Sequence, residues 1–377
     1  MFYRLLFYFQ ELLQGAGLWP YANVFRYQTF RTAFAVVTSF FLCMVFAPAI
    51  IRVLRRLKVR GGVDFGNQAV DQMYASRAAI PTMGGLLILP AVLLSTVLWA
   101  DIANFYVLLG LLTVLWLGVL GGVDDYLKLV KKSRDGLRTW EKLVFQIGLA
   151  VVLAYFLHRA GAGTILLPED GTGMALNLPF YKFPIHLAFW GFALVAVLVV
   201  AGTSNAVNLT DGMDGLAIGS MVPPTIVFLG ISYVAGRVDY SSYLYVPYVP
   251  GVGELAIFCG ALLGACLGFL WYNCSPAQVF MGDTGSLALG GAIGYVAIAT
   301  RQEVLLLIAG GMFVLEALSV MLQVGYFKLT HGKRIFRMSP LHYHFQLGGW
   351  TETQTVVRFW LLGAMFAALA LATLKLR

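Results

Sequence analysis

Long apolar runs separated by short polar segments recur from about residue 29 to the C-terminus. Windows of roughly 17 to 25 apolar residues, the length that carries an α-helix across a bilayer, fall at 31–52, 83–100, 104–123, 142–158, 187–205, 215–235, 254–272, 286–300, 303–327 and 355–374. The pattern predicts an all-α polytopic membrane protein with about ten transmembrane helices, folded as a single domain over residues 1–377. The last four spans rest on splitting apolar tracts at "SPAQVFMGDT" and "TRQE". The opening "MFYRLLFYFQELLQ" lacks a small-residue cleavage site and carries Glu11, which suits an interfacial helix better than a cleaved signal. The polar stretch 159–185, with "PEDGTG" between short β-prone runs, reads as a hairpin outside the bilayer.

Composition agrees with this picture. The chain is 59% hydrophobic and 12% charged, with a mean hydropathy of +0.79; a water-soluble domain of that makeup would expose large apolar patches. Basic residues set the orientation. Arg52, Arg55, Arg56, Lys58, Arg60 and Arg77 lie in 52–82, and Lys128, Lys131, Lys132, Arg134, Arg138 and Lys142 in 124–142. Lys328, Lys333, Arg334 and Arg337 lie in 328–337. With ten spans all three loops share one side, which the positive-inside rule makes cytoplasmic, and both termini become extracytoplasmic. The net charge of +8 is thereby explained by topology and anionic headgroups, so no nucleic-acid partner is expected. Cys43, Cys259, Cys266 and Cys274 show no metal or disulfide spacing and read as apolar filler.

Parity then puts two further loops, 203–214 and 273–284, on the cytoplasmic face. They have no basic residue but hold Asp211, Asp214 and Asp283. Asp124 and Asp125 join them from "GGVDDYLK". Two adjacent carboxylates near the C-terminal end of a span oppose the helix dipole and repel each other, although Asp124 can pair with Lys128 at i,i+4. Helix capping accounts for any one of Asp211, Asp214 or Asp283, but not for the whole group beside Asn205 and Asn208. Collected carboxylates suit a hard cation such as Mg²⁺, which takes oxygen ligands and leaves room for substrate phosphates. In "HGKRIFRMSPLHYHFQLGGW", His342 and His344 can donate to a diphosphate, as can Lys128, Lys132 and Lys142, although a basic segment touching lipid headgroups has the same composition. No GxxxxGK fingerprint occurs, so an ATPase is not indicated. Within the spans, Gly260, Gly264 and Gly268 share one face and predict close helix packing. Glu316 and Gln323 share a face of span nine, where a carboxyl group is expensive and belongs to a cavity or a partner. Pro223 and Pro224 predict a kink in span six.

Together "PTMGG" at 81–85, "DDY" at 124–126, "GTSNAVNLTDGMDGLA" at 202–217, "GFLWYNCSPAQVFMGDTGSLALGG" at 268–291, "KRIFRMSPLHYHF" at 333–345 and "VVRFW" at 356–360 resemble the phospho-N-acetylmuramoyl-pentapeptide transferase family. That family lies within the polyprenyl-phosphate N-acetylhexosamine-1-phosphate transferases. The resemblance covers nearly the whole chain and implies a ten-span enzyme of the bacterial cytoplasmic (inner) membrane with a cytoplasmic Mg²⁺ site. The implied reaction moves phospho-MurNAc-pentapeptide from UDP-MurNAc-pentapeptide to undecaprenyl phosphate, giving lipid I and UMP for peptidoglycan synthesis.

By the same likeness Asp124, Asp125, Asp283, His342 and Lys142 are expected to be catalytic, with the metal on Asp283, Asp125 and Asp214. Asn208, Asp211, Asp214, Asn273, Phe280, Gln323, His344, Lys128, Lys132 and Arg77 are expected to bind substrate, Phe280 by stacking on uracil. Three departures stand out: Tyr343 takes the middle place of the family's histidine run, Gln346 replaces a usual Glu, and Arg77 stands where a lysine is expected. Guanidinium is not a neutral replacement for ammonium. Transfer of GlcNAc-1-phosphate from UDP-GlcNAc to the same lipid is the neighbouring alternative within the superfamily, and a lipid transporter is the alternative from another class. A transporter would spread its acidic residues along a transmembrane path, whereas here they collect at one boundary. Direct displacement and a two-step route through a carboxylate are both open, and the oligomeric state is not fixed, a homodimer included.

Overall fold

The computed structural model describes residues 1–17, 19–57, 80–131, 136–161, 174–181 and 183–376. Long helices dominate it: α1 (Gln28–Arg56), α2 (Gly85–Trp99), α3 (Phe105–Lys131), α4 (Thr139–Gly161), α5 (Phe189–Thr210), α6 (Leu216–Ala235), α7 (Leu255–Asn273) and α8 (Gly282–Ala299). They are followed by α9 (Glu303–Ala309), α10 (Gly311–Leu329), α11 (Leu341–Gln346) and α12 (Glu352–Ala372). Among the described residues, eight helices are long and apolar enough to cross a membrane. The expected spans at 83–100 and 286–300 correspond to α2 and α8, which fall outside those eight for physical reasons. The first is only 15 residues long. The second opens on the polar "GDTGS" and is rich in glycine, yet every residue from Thr284 to Ala299 is buried. A helix enclosed by protein on all sides needs small side chains for close approach more than it needs lipid-facing bulk.

The core is therefore built around α8, which packs on α3, α5, α2 and α6. Gly290 and Gly294 lie against the backbone and Thr203 of α5, and Gly291 lies against Leu117 of α3. On the other flank Gly260, Gly264 and Gly268 of α7 meet Thr32, Val36 and Phe40 of α1, so two rows of i,i+4 positions interlock as the glycine spacing predicts. The span expected at 303–327 is broken at Gly310 into α9 and α10. Pro223 and Pro224 sit inside an unbroken α6. The hairpin expected within 159–185 is real but displaced: β1 (Met174–Leu176) pairs antiparallel with β2 (Ile185–Leu187), so the connection is 177–184 and not "PEDGTG", which lies outside the described residues. At the N-terminus the single interfacial helix is replaced by short helical pieces, Phe2–Tyr8 and Gln10–Gly15, with Phe2 against Trp99.

A buried ion pair closes one end of the bundle. Both terminal guanidinium nitrogens of Arg31 donate to Glu254, at 2.6 and 2.8 Å, and Glu254 also accepts the Asp101 N–H at 2.9 Å. The start of α1, the start of α7 and the chain after α2 are thus joined through a charge pair that burial alone would penalise. The candidate chemistry lies at the opposite end, where α2 begins against the first turn of α8 at Gly285.

Candidate active site

Asp124 and Asp125 do not end their helix. α3 runs on to Lys131, so both carboxylates project from within it, about 100° apart around the axis, and face different partners. Asp125 turns to α8. Its Oδ1 accepts the Asp283 N–H at 3.2 Å, and its Oδ2 accepts the Thr284 N–H at 3.0 Å and the Thr284 hydroxyl at 2.7 Å. No side chain from α8's own N-terminal turn caps that helix, so a carboxylate from α3 satisfies its free N–H groups and meets its positive pole. The close approach depends on glycine: a Cβ at Gly121 would overlap the Asp283 backbone, and Gly282, at φ +74°, sits against Asp125.

Asp124 turns the other way. Its Oδ1 accepts the Leu137 N–H at 2.7 Å, and its Oδ2 takes Lys128 at 2.7 Å and Lys142 at 2.8 Å. The same two ammonium groups reach Asp283 Oδ2, at 3.1 and 2.7 Å. Asn208 donates from Nδ2 to Asp283 Oδ1 and to the Ser286 hydroxyl, both at 2.9 Å. Asp283, from a loop without a basic residue, therefore has basic neighbours after all, brought to it by folding from the 124–142 segment. Asp124, Asp125 and Asp283 each offer an oxygen within 4.8 Å of the others. An all-oxygen donor set of three carboxylates beside ammonium groups fits a Mg²⁺-type cation that shares its shell with phosphate.

Asp214 is not part of that triad among the described residues. It is buried, and its Oδ2 accepts the Ala277 N–H at 3.0 Å. Asn273 works alongside it, accepting from Gly215 N–H and donating to the Val279 carbonyl. Together they pin the segment 274–281 that carries Phe280, whose backbone bonds to Pro81 and Gly84 hold the start of α2 beside it. Asp211 is half-buried at the end of α5, its carboxylate against the Gly282 N–H. Loss of solvation and the charges of Asp283, Asp125 and Asp214 push its pKa up to about 7.

Gln323 uses its amide to fold the 330s segment, accepting from Ile335 and Phe336 N–H and donating to the Phe336 carbonyl. His344 accepts the Arg337 N–H at Nδ1. His342, expected to donate to a diphosphate, is in α11 with no solvent-exposed surface, its Nδ1 3.2 Å from Glu316 Oε2. Lys132 and Arg77 lie outside the described residues. Sequence reasoning missed Thr284 and Ser286, the hydroxyls that serve Asp125 and Asn208. Their position in the first turn after "GD" was the available signal.

Beside this cluster runs an apolar groove of about 420 Å³ between α5, α8, α9 and α10, lined by Val195, Leu198, Val207, Ile293, Leu306 and Phe313 among others. From Val195 to Val207 it follows α5 for roughly 18 Å at 1.5 Å per residue. It stops one residue short of Asn208, the side chain that holds Asp283.

Residues 107–301 match the model of Glycosyl transferase family 4. The chain is 47% identical over 360 residues to the phospho-N-acetylmuramoyl-pentapeptide-transferase of Syntrophus aciditrophicus, covering 95% of this chain and 97% of the relative. Identity is 46% to the protein of the same name from Thermodesulfovibrio yellowstonii, covering 100% of both chains. For that of Nitratidesulfovibrio vulgaris it is 50%, covering 94% of this chain and 96% of the relative.

Proposed function

Because the chain belongs to the phospho-N-acetylmuramoyl-pentapeptide transferase family, as an integral membrane enzyme acting on a nucleotide-linked sugar peptide and a lipid acceptor, we propose the following reaction. UDP-MurNAc-pentapeptide donates phospho-MurNAc-pentapeptide to undecaprenyl phosphate, and lipid I and UMP are released. The observation that carries this reading is the nearness of two surfaces: the apolar groove reaches Val207, next in the chain to Asn208, whose side chain bonds Asp283 of the carboxylate and lysine cluster. A polyprenyl chain fits the first surface and phosphate groups the second, so a lipid phosphate lying along α5 would present its head beside Asp124 and Asp283.

Both substrates are anionic, and their mutual repulsion is the obstacle to reaction. Asp124, Asp125 and Asp283 would hold Mg²⁺, which when bound supplies charge neutralisation of the diphosphate. Lys128 and Lys142 bind phosphate oxygens and stabilise charge on the departing UMP. Asn208 fixes the rotamer of Asp283, and Asp125 fixes the first turn of α8, so Asp283 is presented in one place. Asp124, held by the Leu137 N–H, orients or deprotonates the acceptor phosphate. Phe280, on a segment pinned by Asp214 and Asn273, offers a ring to the uracil. On this reading the cluster faces the cytoplasm at the inner membrane, which the basic loops support through the positive-inside rule.

Purified protein given undecaprenyl phosphate, Mg²⁺ and either UDP-MurNAc-pentapeptide or UDP-GlcNAc should release UMP with the first donor alone. Release with UDP-GlcNAc alone would redirect the reading to GlcNAc-1-phosphate transfer.

A further inference from the structure

Glu316 is fully buried in α10, and so is His342 in α11. Nδ1 of the imidazole lies 3.2 Å from Oε2 of the carboxylate. Among the described residues none of the four polar atoms of these two side chains makes an aligned hydrogen bond, so Nδ1 and Oε2 meet by distance alone. A buried ionisable pair with nothing else to satisfy it is costly to retain, and each member leaves the other exposed to the full desolvation penalty if removed. The far edge of the ring faces the turn after α5: a Cβ at Gly212 would overlap Nε2 of His342 and meet the Tyr343 hydroxyl. That hydroxyl donates to the Gly212 carbonyl at 3.1 Å, and the Tyr343 ring lies 4.1 Å from the imidazole, centroid to centroid. Gly212 adjoins Asp211, and one turn earlier Asn208 holds Asp283. A continuous set of contacts thus runs from the middle of α10 to the carboxylate cluster.

We propose that Glu316 is a positioning residue: by accepting the Nδ1 proton of His342 it fixes the ring's tautomer and orientation against Gly212. Tyr343, at the place where the family's histidine run continues, shares the task by tying the same glycine through its hydroxyl. The paired ring and hydroxyl seat the Asp211–Gly212 turn beside Asp283. Glu316 acts through His342 and touches no substrate, as carboxylate partners of functional histidines do elsewhere. The consequence for turnover rests on the transferase reading above, whereas the pairing itself does not.

Two measurements on the full-length protein test it. In ¹⁵N-histidine spectra, the Nδ1–H signal of His342, identified by its loss in H342A, should be present in the wild type, lost in E316A and kept in E316Q, whose amide oxygen still accepts. In transfer assays, E316A should lower kcat by roughly 10- to 100-fold, the range seen on losing such partners, with KM for both substrates changed less than about threefold on that same argument. E316Q should recover most of the rate, and E316A/H342A should be no slower than H342A. Multiplied losses in the double variant, E316Q as slow as E316A, or a wild-type His342 carrying its proton on Nε2 would each overturn the proposal. Full activity of H342A with the Nδ1–H signal present in the wild type would instead remove the transferase role of this histidine and leave the pairing standing.

Discussion

Replacing Asp125 with alanine separates its part in holding α8 from any part in chemistry. The substitution strips the acceptor from the Asp283 N–H, the Thr284 N–H and the Thr284 hydroxyl at a site only 4% exposed. A hydrogen bond to a charged acceptor contributes about 1.5–3 kcal/mol, and a lost N-terminal cap costs ~1 kcal/mol. The 3.2 Å bond is the weakest of the three, and relief of carboxylate burial offsets part of the loss, so a net destabilisation of about 3–4 kcal/mol follows. Thr284→Val removes the hydroxyl bond alone and should cost about 1.5–3 kcal/mol. The two changes share that bond, so the double variant should fall short of their sum by about the same amount. Equilibrium unfolding by SDS in mixed micelles, run in chelator, gives all four stabilities. If Asp125→Ala unfolds with the wild type, or if the two losses add in full, Asp125 does not anchor α8.

Lys142→Met removes a cation shared by Asp124 and Asp283 and should slow transfer by roughly 100- to 1,000-fold, the scale for a lost charge-stabilising donor; near-normal UMP release would exclude that role. Gly202 lines the groove and has open space where a Cβ would go, so Gly202→Leu should fold normally and raise KM for the polyprenyl phosphate while leaving KM for the nucleotide substrate unchanged. An unaltered lipid KM would place the acceptor elsewhere. Asp211 titrates near 7 in the folded chain, above its ordinary value of about 3.9. The folded state therefore holds a proton that the unfolded state has lost, and this group's contribution to stability falls as pH rises from about 4 to about 7 and is level above. In chelator, the melting advantage of Asp211→Asn over the wild type should grow from pH 5 to pH 8; a difference independent of pH would contradict the shift.

Most helices were legible because lipid-facing spans announce themselves by length and hydropathy. α8 was harder, since its surroundings are protein and its glycines report contacts with α5 and α3 that no periodicity reveals. The break at Gly310 was hidden within a continuous apolar tract. Asp124, Asp125 and Asp283 stood out as carboxylates collected at one boundary, and the structure brings those three together. Their partners were less visible: Lys142 and Asp283 are 141 residues apart, and the pairing exists only once α3, α4 and α8 are packed. Arg31 and Glu254 head two spans and went unpaired in the sequence for the same reason. Residues read as substrate contacts from family likeness, Asp214, Asn273 and Gln323, spend hydrogen bonds on backbone, a role that depends on loop shape and leaves no trace in composition.

The central claim is that three carboxylates at one end of this bundle hold the cation needed to join two phosphate-bearing substrates. Purified full-length protein with undecaprenyl phosphate, Mg²⁺ and UDP-MurNAc-pentapeptide labelled in the peptide should move label into the butanol phase. Excess EDTA, or Asp283→Asn in a protein that elutes and melts as the wild type does, should leave all the label in water. Transfer at the normal rate under either condition would contradict the account.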